Sequence, residues 1–264
     1  METYKMNTAL NRNIKRVLSI LLLLILRLQT TGQTQSEPSL GKTDLRLLTQ
    51  YKQVADSLQK QFERKQLAFP PKAIYLRSFK LDKQLEVWVQ TDSAKTFKLF
   101  KTYKVCMQSG STGPKRMEGD YQVPEGFYHI NDFNPNSSFH LSLGVNYPNE
   151  SDKRLSDSIR PGNGIYIHGN CVSTGCIAIG DQQMEEVYVL ATLARSQNQD
   201  FIPIHIFPVR YSVKSSMDYL NNAMRDDVAL QRFNKNIRMG YDYFEAKKRL
   251  PIIAVNDKGE YLFY

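Results

Sequence analysis

Several features are missing from this chain of 264 residues, and each absence narrows what it can be. No arginine-rich helix and no aromatic signature of an RNA-binding sheet occurs, so the formal charge of +9 gives nucleic-acid binding little support. Lys5, Arg12, Lys15, Arg16 and Arg27 stand in the first 32 positions against Glu2 alone, which leaves the remainder only mildly basic. A solvated surface explains most of those remaining charges. No cysteine follows the apolar run near the N-terminus, which argues against a lipid-anchored bacterial lipoprotein. No internal repeat and no long low-complexity segment interrupts the chain. Only three cysteines are present, an odd number that internal disulfides cannot consume entirely.

What is present begins with a leader. Basic residues through Arg16 precede VLSILLLLIL, and the polar, small-residue stretch QTTGQTQSEPS follows. This order reads as a secretory signal over residues 1–32, with a cut near Gly32 and Gln33, and the apolar run is short for a bilayer span of about 20 residues. The chain is therefore expected to be secreted, with membrane contact only through that segment. Export to an oxidising compartment permits disulfides and fits one reactive thiol beside one bridge, for which Cys106 with Cys171 is one pairing.

A hydrophobic content of 41% suffices for a full core. Residues 33–72 read as a linker and an amphipathic helix, in which Leu48, Tyr51, Ala55, Leu58 and Phe62 recur every three or four positions. From Ala73 the period changes to two through AIYLRSFK, LEVWVQ and FKLFKTYKVCM, as in consecutive antiparallel strands. A short strand is expected at Phe127 to Ile130, loop from Asn131 to Asn163, and a strand running into His168. Asp181 suits the cap of a helix, FIPIHIF reads as strand, and Ser215 with Asp218 resembles a capping box before a helix through about Phe233. A short helix before Pro251 and a hairpin turning at Asn256 to Gly259 complete residues 211–264.

The chemistry concentrates in IYIHGNCVSTGCIAIG, Ile165 to Gly180, which places His168, Cys171 and Cys176 within nine positions. A free thiol is only a few per cent thiolate at neutral pH, so an enzyme that uses one sets a base or positive field beside it. His168 is the obvious base for Cys176, and Gly175 allows a sharp turn that aims its own amide and that of Cys176 at a developing oxyanion. Three plainer readings compete: a buried Cys176 acting as a small hydrophobe, a Cys171 to Cys176 disulfide, and a zinc site drawing on His168, Cys171, Cys176 and His140.

IHGNCVSTGCIAI resembles the active-site signature of the YkuD-type L,D-transpeptidase catalytic domain family, and more closely its YafK-like branch. The blocks SGSTGPKRMEGDYQVPEGFYHI, NPNSSFHLSLGVNYPNESDKR and IPIHIFPVR stand in the order expected of that branch. The resemblance implies an α+β fold that is mainly β: a mixed, mostly antiparallel sandwich with peripheral helices. It places the catalytic domain at residues 73–210, with residues 211–264 as a helical and hairpin extension. It further implies a murein transpeptidase that needs no metal or organic cofactor. Its partners are peptidoglycan stem peptides containing diaminopimelate or, for hydrolysis of the same bonds, a wall-linked protein.

By that resemblance Cys176 is the nucleophile, His168 its base, and Gly169 the residue whose carbonyl orients the histidine. The amides of Gly175 and Cys176 form the oxyanion hole, with Ser173 supporting the loop or only its own backbone. Two departures stand out: Thr174 replaces a histidine of the family pattern, and Ala178 replaces an arginine. Lys115 and Arg116 are candidates to supply the missing cation for substrate, and His140 to line the cleft. For Cys171, ordinary burial is preferred over a role in tuning Cys176 by oxidation. A non-catalytic peptidoglycan-binding module is the alternative from outside enzymology.

Overall fold

The computed structural model describes residues 42–91 and 96–264. The chain divides at Thr49, and the fold set out here is that of residues 50–264. The expected signal at residues 1–32 lies outside the described residues. Among the described residues, no helix is long and apolar enough to cross a membrane.

Eight strands form one sheet: β1 (Ala73–Phe79), β2 (Gln84–Gln90), β3 (Lys98–Lys104), β4 (Gly126–Asn134), β5 (Ser142–Val145), β6 (Ile165–His168), β7 (Ile177–Ala178) and β8 (Ile202–Phe207). Their order is β3-β2-β1-β8-β4-β5-β6-β7. The β1–β8 and β6–β7 pairs are parallel and the rest antiparallel, so the expected class, mainly β with peripheral helices, holds. The helices are α1 (Lys42–Arg64), α2 (Glu150–Leu155), α3 (Asp181–Ser196), α4 (Lys214–Ala223) and α5 (Val228–Lys247). A two-stranded hairpin, β9 (Ile253–Val255) and β10 (Tyr261–Phe263), closes the chain around the expected turn.

Period-two alternation decides which face each strand buries. Leu76 of β1, Ile204 of β8 and Ile130 of β4 join Leu58 and Phe62 of α1 and Met184 and Leu190 of α3 in the larger core. The alternate residues Phe79, Phe207 and Phe127 point the other way and pack with Leu220 of α4, Ile237 and Tyr241 of α5, and Tyr261 of the hairpin. The central strands are thus buried on both sides. That is why β1 reads as a nearly continuous apolar run.

Three expectations need correction. The stretch from Asn131 to Asn163 is not all loop, because β4 continues to Asn134 and β5 and α2 lie within it. Asn149 and Asp152 form the capping box of α2, so the Asn- and Ser-rich composition that suggested loop includes a helix start. Asp181 is the first helical residue of α3, with Gly180 as the cap. The box expected from Ser215 and Asp218 is not made: α4 starts after Val213 without a side-chain cap. Ser216 instead donates to Asp82 at 2.7 Å, and Asp218 pairs with Lys214. The helix also stops at Ala223, and Asp227 caps a separate α5 by accepting from the Leu230 amide at 2.8 Å.

A buried charge hub fastens the C-terminal extension to the sheet. Glu86 accepts from Arg77 at 2.8 Å and Trp88 at 2.7 Å, and pairs with Arg210 at 2.7 Å. Arg77 reaches on to Glu245 of α5 at 2.7 Å, its guanidinium packed against Trp88, Tyr241 and Phe244. Removing one charge of such a set leaves another buried without its counter-ion. Glu86→Gln is therefore expected to cost roughly 3–5 kcal/mol in chemical denaturation, whereas a change below about 1 kcal/mol would show that the hub is not holding the extension.

Candidate active site

The candidate site is built on the parallel pairing of β6 with β7. Ile167 lies opposite Ile177 and His168 opposite Ala178. Ile165, Ile167 and Ile177 belong to the larger core, so the pleat sends Tyr166, His168 and Cys176 to the other face. His168 lies opposite Ala178, two residues beyond Cys176, so the two side chains share that face. This is the same side of the sheet that α4, α5 and the hairpin cover further along.

The loop between the two strands is fixed at several points. Cys106, just beyond β3, forms a disulfide with Cys171. The bridge takes Cys171 out of both a Cys171–Cys176 disulfide and a zinc ligand set, and leaves Cys176 as a free thiol. Cys171 is exposed, contrary to the expectation of burial, because the bridge lies on the outside of the loop. The Asn170 amide donates to the Asp181 carboxylate at 2.6 Å, tying the loop to the first turn of α3. A Cβ on Gly169 would fall 2.6 Å from that carboxylate and 2.7 Å from the Phe139 carbonyl oxygen, so only glycine passes there. Gly175 has φ +129, a conformation open to glycine and strained for other residues.

His168 is 2% exposed, and its Nδ1 lies 2.6 Å from the Gly169 carbonyl oxygen. An acceptor at that position requires the proton on Nδ1, which leaves Nε2 as the basic nitrogen. Phe139 packs on the ring with centroids 4.8 Å apart. Burial lowers the imidazole's affinity for a second proton, and the Gly169 carbonyl offsets part of that effect. Burial likewise pushes the Cys176 thiol up, against a lowering contact from the Tyr166 backbone. Its Sγ donates to the Gly164 carbonyl at 3.6 Å, and among the described residues no hydrogen bond joins it to His168. Burial thus disfavours the charged form of both groups on this face.

Ser173 is engaged with its own loop. Its Oγ donates to the Cys176 carbonyl at 2.7 Å and accepts from the amides of Cys176 at 2.9 Å and Gly175 at 3.3 Å. The two amides expected to form an oxyanion hole are therefore occupied by a neutral hydroxyl in this conformation. Lys115 is 6% exposed and donates to Asp120 at 2.6 Å and the Met117 carbonyl at 2.8 Å, so it staples its own loop rather than reaching for substrate. His140 pairs with Glu185 of α3 at 2.9 Å. Arg116 packs 4.9 Å over Phe233 and lies 3.6 Å from Asp152. Phe139 and Asp181 went unrecognised in the sequence: Phe139 adjoins the histidine singled out there, and Asp181 is a helix-start residue whose carboxylate faces backwards to the loop.

Residues 82–210 match the family model described as the L,D-transpeptidase catalytic domain, YkuD. Over 184 residues the chain is 30% identical to YafK of Escherichia coli strain K12, named as an L,D-transpeptidase, covering 69% of this chain and 70% of that one. The chain belongs to the YkuD L,D-transpeptidase family. β1 lies outside the matched residues and sits in the sheet between β2 and β8. Among solved structures, the helical cell shape determining protein Pgp2 from Campylobacter jejuni is similar at 20% identity and a TM-score of 0.42, covering 70% of this chain and 73% of that one. Bd1075 of Bdellovibrio bacteriovorus is similar at 22% identity and a TM-score of 0.37, covering 69% and 62%.

Thiol titration checks this geometry directly. Denatured but unreduced protein is expected to yield one reactive thiol and reduced protein three. Alkylation of native Cys176 should accelerate with pH up to a midpoint above the ordinary thiol range, because burial favours the protonated form. A midpoint below neutrality would instead reveal a preformed thiolate–imidazolium pair.

Proposed function

We propose that this L,D-transpeptidase domain is a cysteine acyltransferase of peptidoglycan, working through a thioester on Cys176. The observation that carries the reading is the free Cys176 on the same sheet face as a buried His168 whose Nδ1 is held by Gly169. In the first step Cys176 Sγ attacks the carbonyl of an L,D bond at diaminopimelate in a stem peptide, while the thiol proton passes to His168 Nε2. The tetrahedral oxyanion takes over the amides of Gly175 and Cys176 from Ser173 Oγ, since a charged acceptor bonds them more strongly than a neutral hydroxyl. His168 then returns its proton to the departing amine, leaving the acyl group on sulfur. An incoming amine, deprotonated by His168, attacks the thioester and restores the thiol.

Ala178 favours a second ending for the same intermediate. It is fully buried beside His168 in the β6–β7 pair, so no cation stands at the position where the family pattern has arginine. Altered handling of the acceptor would let water finish the reaction, making the protein an amidase of the same bonds, including a bond to a wall-linked protein. The Cys106–Cys171 disulfide supports the exported compartment, the bacterial periplasm, in which either reaction takes place.

Incubation with a diaminopimelate-containing tetrapeptide, followed by intact-mass analysis, is expected to show an acyl adduct on Cys176. Cys176→Ala should lose the adduct entirely, and His168→Gln should slow its formation by roughly 10²–10⁴-fold. Exchanged or crosslinked product on adding an amine acceptor marks transfer, and free acid alone marks hydrolysis. Full wall-modifying activity in Cys176→Ala would overturn the catalytic reading in favour of a binding module.

A further inference from the structure

On the face of the sheet that carries His168 and Cys176, a cleft of about 740 Å³ lies between the loop around residues 112–122 and the C-terminal extension. Its far wall is made by the first turn of α5, at Val228 and Ala229, and by the β9–β10 turn, at Lys258 and Gly259. Its near end reaches the candidate site through Gln122, which lines the cleft and whose carbonyl oxygen is 3.7 Å from where a Gly175 Cβ would stand. Neither His168 nor Cys176 lines the cleft; Gln122 is the residue shared between its near wall and the loop that bears Cys176.

The charges of this cleft are unevenly satisfied. Asp227 spends its carboxylate on the Leu230 amide at 2.8 Å, and Glu260 accepts from Asn256 at 3.0 Å. Arg232 and Lys258 are exposed and line the same space, and neither has an ion-pair partner among the described residues. Arg116 lines it too, and its Nη1 is buried without a hydrogen-bond partner although Asp152 lies 3.6 Å away. Arg232 and Lys258 are thus the cations of the cleft without an ion-pair partner among the described residues, while Arg116 is paired with Asp152 and the carboxylates of Asp227 and Glu260 share the lining. An apolar rim of Leu155, Leu230 and Phe233 accompanies them, suiting the carbon stems of a peptide.

We propose that this cleft is a carboxylate-binding subsite for the peptidoglycan stem, with Arg232 and Lys258, backed by Arg116, gripping carboxylates of the peptide whose scissile carbonyl is presented to Cys176. The assignment rests on the reading of the protein as a wall-peptide acyltransferase. It gives the C-terminal extension a part in substrate selection, and it relocates the cationic grip that Ala178 does not provide beside the sulfur.

The test uses the full chain carrying Cys176→Ala, so that binding is measured without turnover. The probes for calorimetry are a synthetic diaminopimelate-containing tetrapeptide stem and the same peptide with its carboxylates amidated. Adding Arg232→Gln and Lys258→Gln together should weaken the free-carboxylate peptide roughly tenfold and flatten its salt dependence, as expected for two partly screened charge contacts, while leaving the amidated peptide's affinity unchanged. Both side chains are exposed, and an unchanged thermal midpoint verifies that the variant is folded. Equal affinities in variant and parent, an equal loss for both peptides, or no binding of the stem to the parent protein would each overturn the subsite. Charge-dependent binding in the parent without any adduct on unsubstituted Cys176 would leave the subsite standing and sink the acyltransferase reading instead.

Discussion

The candidate site depends on one piece of backbone pairing, the parallel contact in which Ile167 meets Ile177. Because both isoleucines are committed to the core, the residues flanking them are committed to the opposite face. His168 and Cys176 share that face as a consequence of burying their neighbours. Parallel neighbours usually need a long crossover, yet here only eight residues separate the two strands, and the β7 segment is two residues long. Such a short connection cannot hold itself. The Cys106–Cys171 disulfide, the Asp181 carboxylate on the Asn170 amide, and Ser173 inside the turn supply the restraints from three directions.

The same logic explains why the apolar cover of that face does not extend to the site. Along β1, β8 and β4 the outward residues are Phe79, Phe207 and Phe127, which demand a cover and receive α4, α5 and the hairpin. Along β5 and β6 the corresponding positions are Ser142, Gly144, Tyr166 and His168, which do not join that apolar cluster. The boundary between covered and uncovered sheet is the place where a peptide can lie across the strands. The Arg77–Glu86–Glu245 hub matters to the site for this reason: it anchors the end of α5 whose other end forms one wall of the cleft.

Much of this was legible from residue order. The alternation of Leu85, Val87 and Val89 gave a strand with the correct inward face, and the spacing of Tyr51, Ala55, Leu58 and Phe62 gave the inward stripe of α1. The Gly169 carbonyl contact to His168 Nδ1, expected from the family resemblance, is present, and His168 and Cys176 lie on one face as the short spacing suggested. What the sequence hid were choices made by distant partners. Ser215 does not cap its helix, which starts after Val213 while Asp218 pairs with Lys214, and Lys115 turned to Asp120 and the Met117 carbonyl. His140 has φ 75 and pairs with α3, while the adjacent Phe139 packs on the His168 imidazole. A one-residue difference of this kind is invisible to composition, because it is decided by a backbone reversal.

Electrostatics then constrains how such a site can work. Burial disfavours charge on both the sulfur and the imidazole, so separating a proton between them without substrate is unfavourable. The thiol instead donates to Gly164, and the amides nearest it are quieted by Ser173. In the proposed reaction a bound peptide would change each of these terms at once: its carbonyl would bring a group that becomes an anion, the amides would gain a stronger acceptor, and the proton would acquire a destination in the leaving amine. The protein therefore has no need of a permanent cation beside the sulfur, and Ala178 can serve packing next to His168. In the proposed subsite, cations at a distance would bind the peptide's fixed charges without stabilising a resting thiolate, which separates recognition from activation.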